Sequence, residues 1–118
     1  MDKKLICLLA LLALNFIQPA VGQGGGAGNF GNRDCGAWLR KDNEYLRMGS
    51  EGWLLGYLSG QNMVLQTLRK EKDSDVLRKV NSANQIFLWM NNYCTANPFS
   101  DIATGANELM VELMKREQ

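Results

Sequence analysis

Apolar residues recur at intervals of three and four along most of the chain beyond residue 33, which is the spacing of one face of an α-helix. No segment shows the clear apolar–polar alternation of a half-buried β-strand. The pattern predicts four helical segments, at residues 34–41, 51–69, 76–94 and 99–115. A charged break at residues 70–75 and the pair Asn97–Pro98 separate the last three segments. We therefore predict a small all-α domain of four helices.

Capping residues predict where two of these helices begin. Residues 43–49 are expected to form a connection, and Ser50 is expected to cap the second helix. We expect an interruption of the third segment near Asn81 and Ser82, after which Ser82 caps the remaining helix.

Each segment also has an expected buried face. In chain order these faces are Cys35, Trp38 and Leu39; Trp53, Tyr57, Met63 or Val64, and Leu68; Ile86, Trp89, Met90 and Tyr93; and Ile102, Ala106, Leu109, Met110 and Leu113.

Two glycines, Gly56 and Gly60, lie four residues apart inside the second segment. Each costs a helix about 1 kcal/mol relative to alanine, so we expect a compensating close approach of another backbone. Packing against a helix of the same domain is the expected use. A notch for a binding partner is the alternative.

The amino terminus has the layout of an export signal. A basic start, MDKK, precedes the apolar residues 5–17, and small residues follow at Ala20 and Gly22. The apolar run is shorter than the roughly 20 residues that span a membrane. We predict a signal peptide over residues 1–22, a flexible glycine-rich lead-in over residues 23–32, and a helical domain over residues 33–118. Export to the periplasm, or secretion, follows from this layout.

Composition excludes some classes of partner for the mature chain, residues 23–118. Removing the leader takes two lysines and one aspartate, which leaves 11 basic and 11 acidic residues. Nucleic-acid binding needs a basic surface, so we expect no such partner. No later segment is apolar for long enough to span a membrane. The run GAGNFG at residues 26–31 matches a dinucleotide-binding fingerprint, but no βαβ pattern follows it, so we expect no cofactor.

Cleavage would also change the cysteine count. The leader carries Cys7, and the mature chain keeps only Cys35 and Cys94. An even number in an exported chain predicts a disulfide, with two buried thiols as the alternative. The chain-entropy model gives such a bridge, which closes a loop of about 60 residues, roughly 4 kcal/mol of stability.

Residues suited to catalysis are few. The chain has no histidine, which removes the commonest general base and a common metal ligand, so we expect no metal site. Two carboxylate pairs remain, Glu108 with Glu112 and Asp73 with Asp75. Both occur in polar stretches, where their pKa values are not driven apart as acid–base catalysis requires. We predict that the chain is not an enzyme, with a minor carboxylate-based enzyme as the alternative.

Several motifs resemble a known family. Cys35 and Trp38 form a C-x-x-W element after the lead-in, a tryptophan-containing helix follows, and YCTANP at residues 93–98 opens the final helix. Over residues 35–113 this arrangement resembles the HdeA/HdeB family of small helical periplasmic proteins, which are acid-stress chaperones. The resemblance implies a disulfide between Cys35 and Cys94 and a function in binding protein clients.

The second helix resembles another group. The segment WLLGYLSGQN at residues 53–62, with Gly56, Tyr57 and Gly60, and the terminal helix opened by Asn-Pro are similar to the Tai-type immunity proteins. Those are periplasmic proteins that neutralise type VI secretion effectors. This resemblance implies a single protein partner.

Together these observations predict a non-enzymatic periplasmic protein-binding domain, chaperone-like or an immunity protein, with a homodimer as a possible form. The candidate binding or packing surface consists of Trp53, Gly56, Tyr57, Gly60, Asn62, Met110 and Met114. Core packing is the alternative role for the aromatic and methionine side chains.

Overall fold

The computed structural model describes residues 31–70 and 74–116. It contains four α-helices, α1 (Cys35–Leu39), α2 (Glu44–Arg69), α3 (Ala83–Ala96) and α4 (Ile102–Lys115), and one 3-10 turn, Val76–Lys79. No strand forms in these residues, and the only pairing of extended backbone is an isolated bridge between Asp34 and Asp101. The all-α, four-helix prediction is confirmed. The predicted signal peptide lies outside the described residues.

A disulfide joins Cys35, the first residue of α1, to Cys94 near the end of α3. Both cysteines are fully buried. Trp38, one turn after Cys35, also packs on α3, because its indole N–H donates to Asn91 Oδ1 at 2.7 Å. The bridge and this hydrogen bond hold a helix of only five residues against the rest of the domain.

Helix α4 lies at the centre of the fold, where it packs against α2, α3 and the 3-10 turn. The five residues predicted for its buried face are all buried: Ile102, Ala106, Leu109, Met110 and Leu113. Gly105 allows α3 to approach closely, because a Cβ there would lie 2.7 Å from Tyr93 Cδ1 and 2.8 Å from Met90 Sδ. The helix begins at Ile102, three residues later than predicted, because Asp101 Oδ1 accepts from the backbone N–H of Thr104.

The start of α2 differs from the prediction. Residues 44–49 are helical instead of a connection, and Ser50 lies inside the helix with its hydroxyl donating to Leu46 O. Asn43 is the true cap, since its side chain accepts from the backbone N–H of Leu46 at 3.0 Å. An ion pair of Arg47 with Glu51 at 2.6 Å then supports the helix across Gly49.

The predicted buried face of α2 is also wrong. Leu54 and Leu58 are its fully buried apolar residues, whereas Trp53 and Tyr57 are half-buried. The remaining residues of the predicted face are exposed, namely Met63, Val64 and Leu68. Apolar residues cover a wide arc of this helix, and only one side of that arc packs into the core.

Asn62 fixes the chain that follows α2. Its side chain accepts from the buried backbone N–H of Val76 at 2.9 Å and donates to Asp75 Oδ1 at 2.8 Å. The 3-10 turn has no hydrogen bond from its own N-cap side chain, so Asn62 supplies the acceptor from another element. The predicted interruption near Asn81 and Ser82 is confirmed, since the turn ends at Lys79 and α3 begins at Ala83. Ser82 precedes α3, but its side chain makes no capping hydrogen bond.

The two described residues of the lead-in both contact the helical body. Asn32 Oδ1 accepts from the backbone N–H of Ala103 at 3.0 Å. Gly31 has a φ of 84°, and a Cβ there would lie 2.7 Å from Trp53 Cδ1. The chain therefore enters the fold beside Trp53 and the first turn of α4.

None of the helices in the described parts of the chain has the length and hydropathy needed to cross a membrane.

Replacing Asn62 with alanine is expected to lower the free energy of unfolding by about 2 kcal/mol, because the buried N–H of Val76 loses its acceptor. Urea unfolding of the oxidised protein measures this loss. Gln66→Ala, at an exposed position one turn later, is the control and should change stability by less than about 0.5 kcal/mol. Equal effects of the two substitutions would contradict the role of Asn62.

Candidate functional site

An open apolar groove of about 580 Å³ runs between α2 and α4. Helix α2 contributes Gly56, Tyr57, Gly60, Gln61, Val64 and Leu65, and α4 contributes Asn107, Met110, Val111 and Met114. None of these ten residues is an aspartate, glutamate, lysine or arginine. We call this feature the α2–α4 groove.

The two walls of the groove run in the same direction. We call the end of the groove near Tyr57 the upper end and the end near Arg69 the lower end. Near the upper end, the Tyr57 hydroxyl donates to Asn107 Oδ1 at 3.3 Å, and the Gln61 amide donates to the same oxygen. At its lower end, Arg69 Nη2 lies 3.3 Å from Met114 Sδ. Contacts therefore advance along both helices together, so both carboxyl ends lie at the lower end.

The rim of the groove exposes large apolar side chains. Val64 is 57% exposed and Val111 is 44% exposed, one from each wall. Leu68, one turn below Val64, is 73% exposed and extends the apolar surface beyond the groove. Both walls therefore expose apolar side chains to the surroundings of the groove.

Gly56 and Gly60 give the groove its depth. No described heavy atom outside their own helix and chain neighbours lies within 4 Å of a Cβ built at either position. Contrary to expectation, no helix among the described residues packs against them. In a helix these glycines cost stability, and no contact within the described chain offsets that cost.

Five residues of the predicted surface line this groove: Gly56, Tyr57, Gly60, Met110 and Met114. Trp53 lies next to it, with its indole stacked on Tyr57 at a ring-centroid distance of 4.9 Å. Asn62 lies elsewhere, because it is buried and holds the 3-10 turn.

The sequence did not point to four of the groove residues, Gln61, Leu65, Asn107 and Val111. Val64 was expected, as an alternative to Met63, on the buried face of α2. The helical spacing of Tyr57, Val64 and Leu68 was the available indication, since these residues share one face of α2.

Charged residues border the groove mainly at its lower end. No residue from 52 to 68 is charged, whereas Arg69 ends α2 and Lys70 directly follows it. Lys115 occupies the last turn of α4, also at this end. Glu108 is exposed on α4 next to Asn107, partway up the other wall.

The carboxylate pair of α4 does not have the properties of a catalytic pair. The indole N–H of Trp89 donates to Glu112 Oε2 at 2.8 Å, and Arg116 pairs with Oε1 of the same residue. These hydrogen bonds, that from Trp89 first, lower the pKa of Glu112, whereas a general acid needs a raised one. Of the second pair, Asp75 accepts from Asn62, and Asp73 lies outside the described residues.

Asp101 is the other carboxyl group with a shifted pKa. Burial alone would raise it, but hydrogen bonds from the backbone of Thr104 and the side chain of Asn32 outweigh burial and lower the pKa of Asp101. In the described parts of the chain, no group of three or more cysteine, aspartate or glutamate side chains is arranged to hold a metal ion.

Comparisons with protein-family models, with curated proteins and with solved structures found no match to this chain.

The lowered pKa of Asp101 predicts a loss of stability in acid. Its contribution is present above the unfolded pKa, near 3.9, and is lost as the pH falls through the lower folded pKa. Asp101→Asn keeps a capping side chain but removes the charge, so its urea midpoint should fall less steeply from about pH 5 to pH 2 than that of the wild type. Glu108→Gln, at an exposed position on α4, is the control. Identical slopes for wild type and Asp101→Asn would contradict the assignment.

Gly60→Ala is expected to raise the free energy of unfolding by about 0.5–1 kcal/mol, because the new methyl group meets open space and alanine favours the helix. Gly105→Ala is the matched control and should be destabilising, since its methyl group would collide with Tyr93 and Met90. Thermal or urea unfolding measures both changes. A loss of stability in Gly60→Ala would show that something already packs on this position.

Proposed function

We propose that this chain is a non-enzymatic, exported protein-binding domain that contacts its partner through the α2–α4 groove. One observation carries the proposal. A groove of about 580 Å³ with no acidic or basic lining residue stays open in the folded domain, and Val64 and Leu68 expose more than half of their surface beside it. Export rests on the layout of residues 1–22, and the periplasm is the proposed compartment.

The carboxylates favour binding over catalysis. Hydrogen bonds lower the pKa of both Glu112 and Asp101, so each stays ionised and supports the fold at neutral pH. Neither group lies in the α2–α4 groove. Glu112 lies instead in a neighbouring cleft, which shares Asn107 and Val111 with the groove.

An acid-responsive chaperone is the first form of this function. Loss of the Asp101 and Glu112 interactions at low pH would weaken both ends of α4, which is the helix that packs against α2 and α3. The groove would then widen to expose more of the apolar arc of α2. The C-x-x-W and YCTANP elements, in which the sequence resembles the HdeA/HdeB family, favour this form.

An immunity protein with one partner is the second form. The groove is present in the folded state, so binding at neutral pH needs no opening of the domain. The segment around Gly56, Tyr57 and Gly60 carries the resemblance to the Tai-type proteins, and these residues line the groove.

Val64→Lys tests the groove in both forms, because it places a charge in the apolar lining. Gln66→Lys adds the same charge at an exposed position on the opposite side of α2 and is the matched control. For the chaperone, we measure light scattering of an acid-labile dehydrogenase at about pH 2–3 and at pH 7. For the immunity protein, we measure recovery of one stoichiometric partner from periplasm at pH 7.

The proposal expects Val64→Lys to reduce binding at least tenfold in one of these assays, while Gln66→Lys behaves as the wild type. Suppression of aggregation only in acid identifies the chaperone, and a single partner at neutral pH identifies the immunity protein. Full activity of Val64→Lys in the assay that the wild type passes, or failure of the wild type in both, would refute binding through the groove.

A further inference from the structure

We infer that the segment bound in the α2–α4 groove is an amphipathic helix of the partner protein, antiparallel to α2 and α4, with acidic residues in its first turn. This inference rests on the proposed function and adds the conformation, direction and charge of the bound segment. It follows from three properties of the groove.

The first property is the lack of backbone partners in the walls. Both walls are α-helices, whose N–H and C=O groups are already hydrogen-bonded within each helix. An extended peptide would leave its own backbone groups without partners against this apolar lining. A helix satisfies its backbone internally and presents only side chains, which is how helix-in-groove complexes work.

The second property is the size of the groove. From Gly56 to Leu68, α2 rises about 18 Å, which equals about three helical turns. Gly56 and Gly60 leave open space on this stretch, so a helix axis can approach at the short end of the usual 8–10 Å range. Apolar residues at i, i+3, i+4 and i+7 of the partner would then face Val64 and Met114.

The third property is charge at the lower end. The carboxyl ends of α2 and α4 both lie there, and each carries the negative end of a helix dipole. A third helix is favoured when its positive amino end lies beside them, which makes it antiparallel. Lys70 and Lys115 are exposed at the same end, and acidic residues in the first turn of the partner complement them.

Glu108 adds a second point of complementarity. It lies seven residues, or about two turns, above Lys115 on α4. A basic residue about two turns into the partner helix would face it. The expected sequence is therefore acidic at its start, apolar along one face, and basic near its middle.

Two synthetic peptides test the inference. Each has 18 residues, leucine along one helical face and the same composition, but one has two glutamates in its first turn and the other has them in its last turn. Fluorescence anisotropy with the oxidised, exported protein at low salt measures both affinities. We expect the peptide with the acidic first turn to bind about tenfold more tightly.

Two variants separate the contribution of charge at the lower end from that of the open space at Gly60. Lys70→Glu combined with Lys115→Glu should reverse the preference between the peptides, because the charge at the lower end changes sign. Gly60→Leu should weaken both peptides at least tenfold while the protein remains folded, since the position is open in the free domain. Circular dichroism checks that each variant keeps its helices.

Several results would overturn the inference. Equal affinities for the two peptides would refute the direction and charge, and binding of neither would refute a helical occupant. A dimer in sedimentation velocity that Val64→Lys dissociates would make a second copy the occupant. The Val64→Lys assays on the partner or client do not depend on the peptides. A negative peptide result therefore refutes only this inference, and the proposed function is refuted only by the Val64→Lys assays.

Discussion

The disulfide between Cys35 and Cys94 is the constraint on which this fold depends. It joins residues 59 apart in sequence, and both half-cystines lie fully inside the core. The chain-entropy model assigns such a crosslink about 4 kcal/mol, a large share of the roughly 5–15 kcal/mol that stabilises a typical domain. A domain of this size buries a modest core, so the crosslink supplies stability that a larger protein obtains from hydrophobic burial. The fold can therefore leave part of its apolar surface uncovered.

That uncovered surface belongs to α2. Trp53 and Leu58 differ by about 140° around the helix at 100° per residue, and apolar side chains occupy the arc between them. Leu54 and Leu58 face the core, whereas Val64 and Leu68 face outwards beside the α2–α4 groove. The 17 residues from 52 to 68 contain no charge, although the exposed part of this helix faces water. The contact with α4 accounts for one side of this apolar arc, and the proposed partner would cover the other side.

Local sequence patterns predicted the helices, the pairing of the cysteines and the buried face of α4, because these depend on short-range periodicity and on a single possible bridge. They did not predict which side of the apolar arc of α2 faces the core. The arc is wide, so more than one face of the helix carries apolar residues at intervals of three and four. Ser50 and Asn43 are both acceptable caps by residue type, and the structure uses Asn43, whose side chain accepts from the backbone N–H of Leu46.

The sequence also predicted part of the candidate site. Spacing and the resemblance to the Tai-type proteins brought Tyr57 and Gly60 into the predicted surface, and residue type brought in Met114. Their meeting in one groove depends on the parallel packing of α2 and α4. Asn62 was singled out by its place in a motif, and its actual function required the position of Val76, fourteen residues away. Tertiary contacts of this kind have no local pattern.

The most direct test of this account is the solvent accessibility of α2 in the free, oxidised protein at neutral pH. Carbene footprinting read out by mass spectrometry labels exposed side chains residue by residue. The account predicts strong labelling of Val64 and Leu68 together with protection of Leu54 and Leu58, within the same helix. Protection of Val64 and Leu68 to the level of Leu58 would mean that the apolar face is already covered, and it would contradict the account.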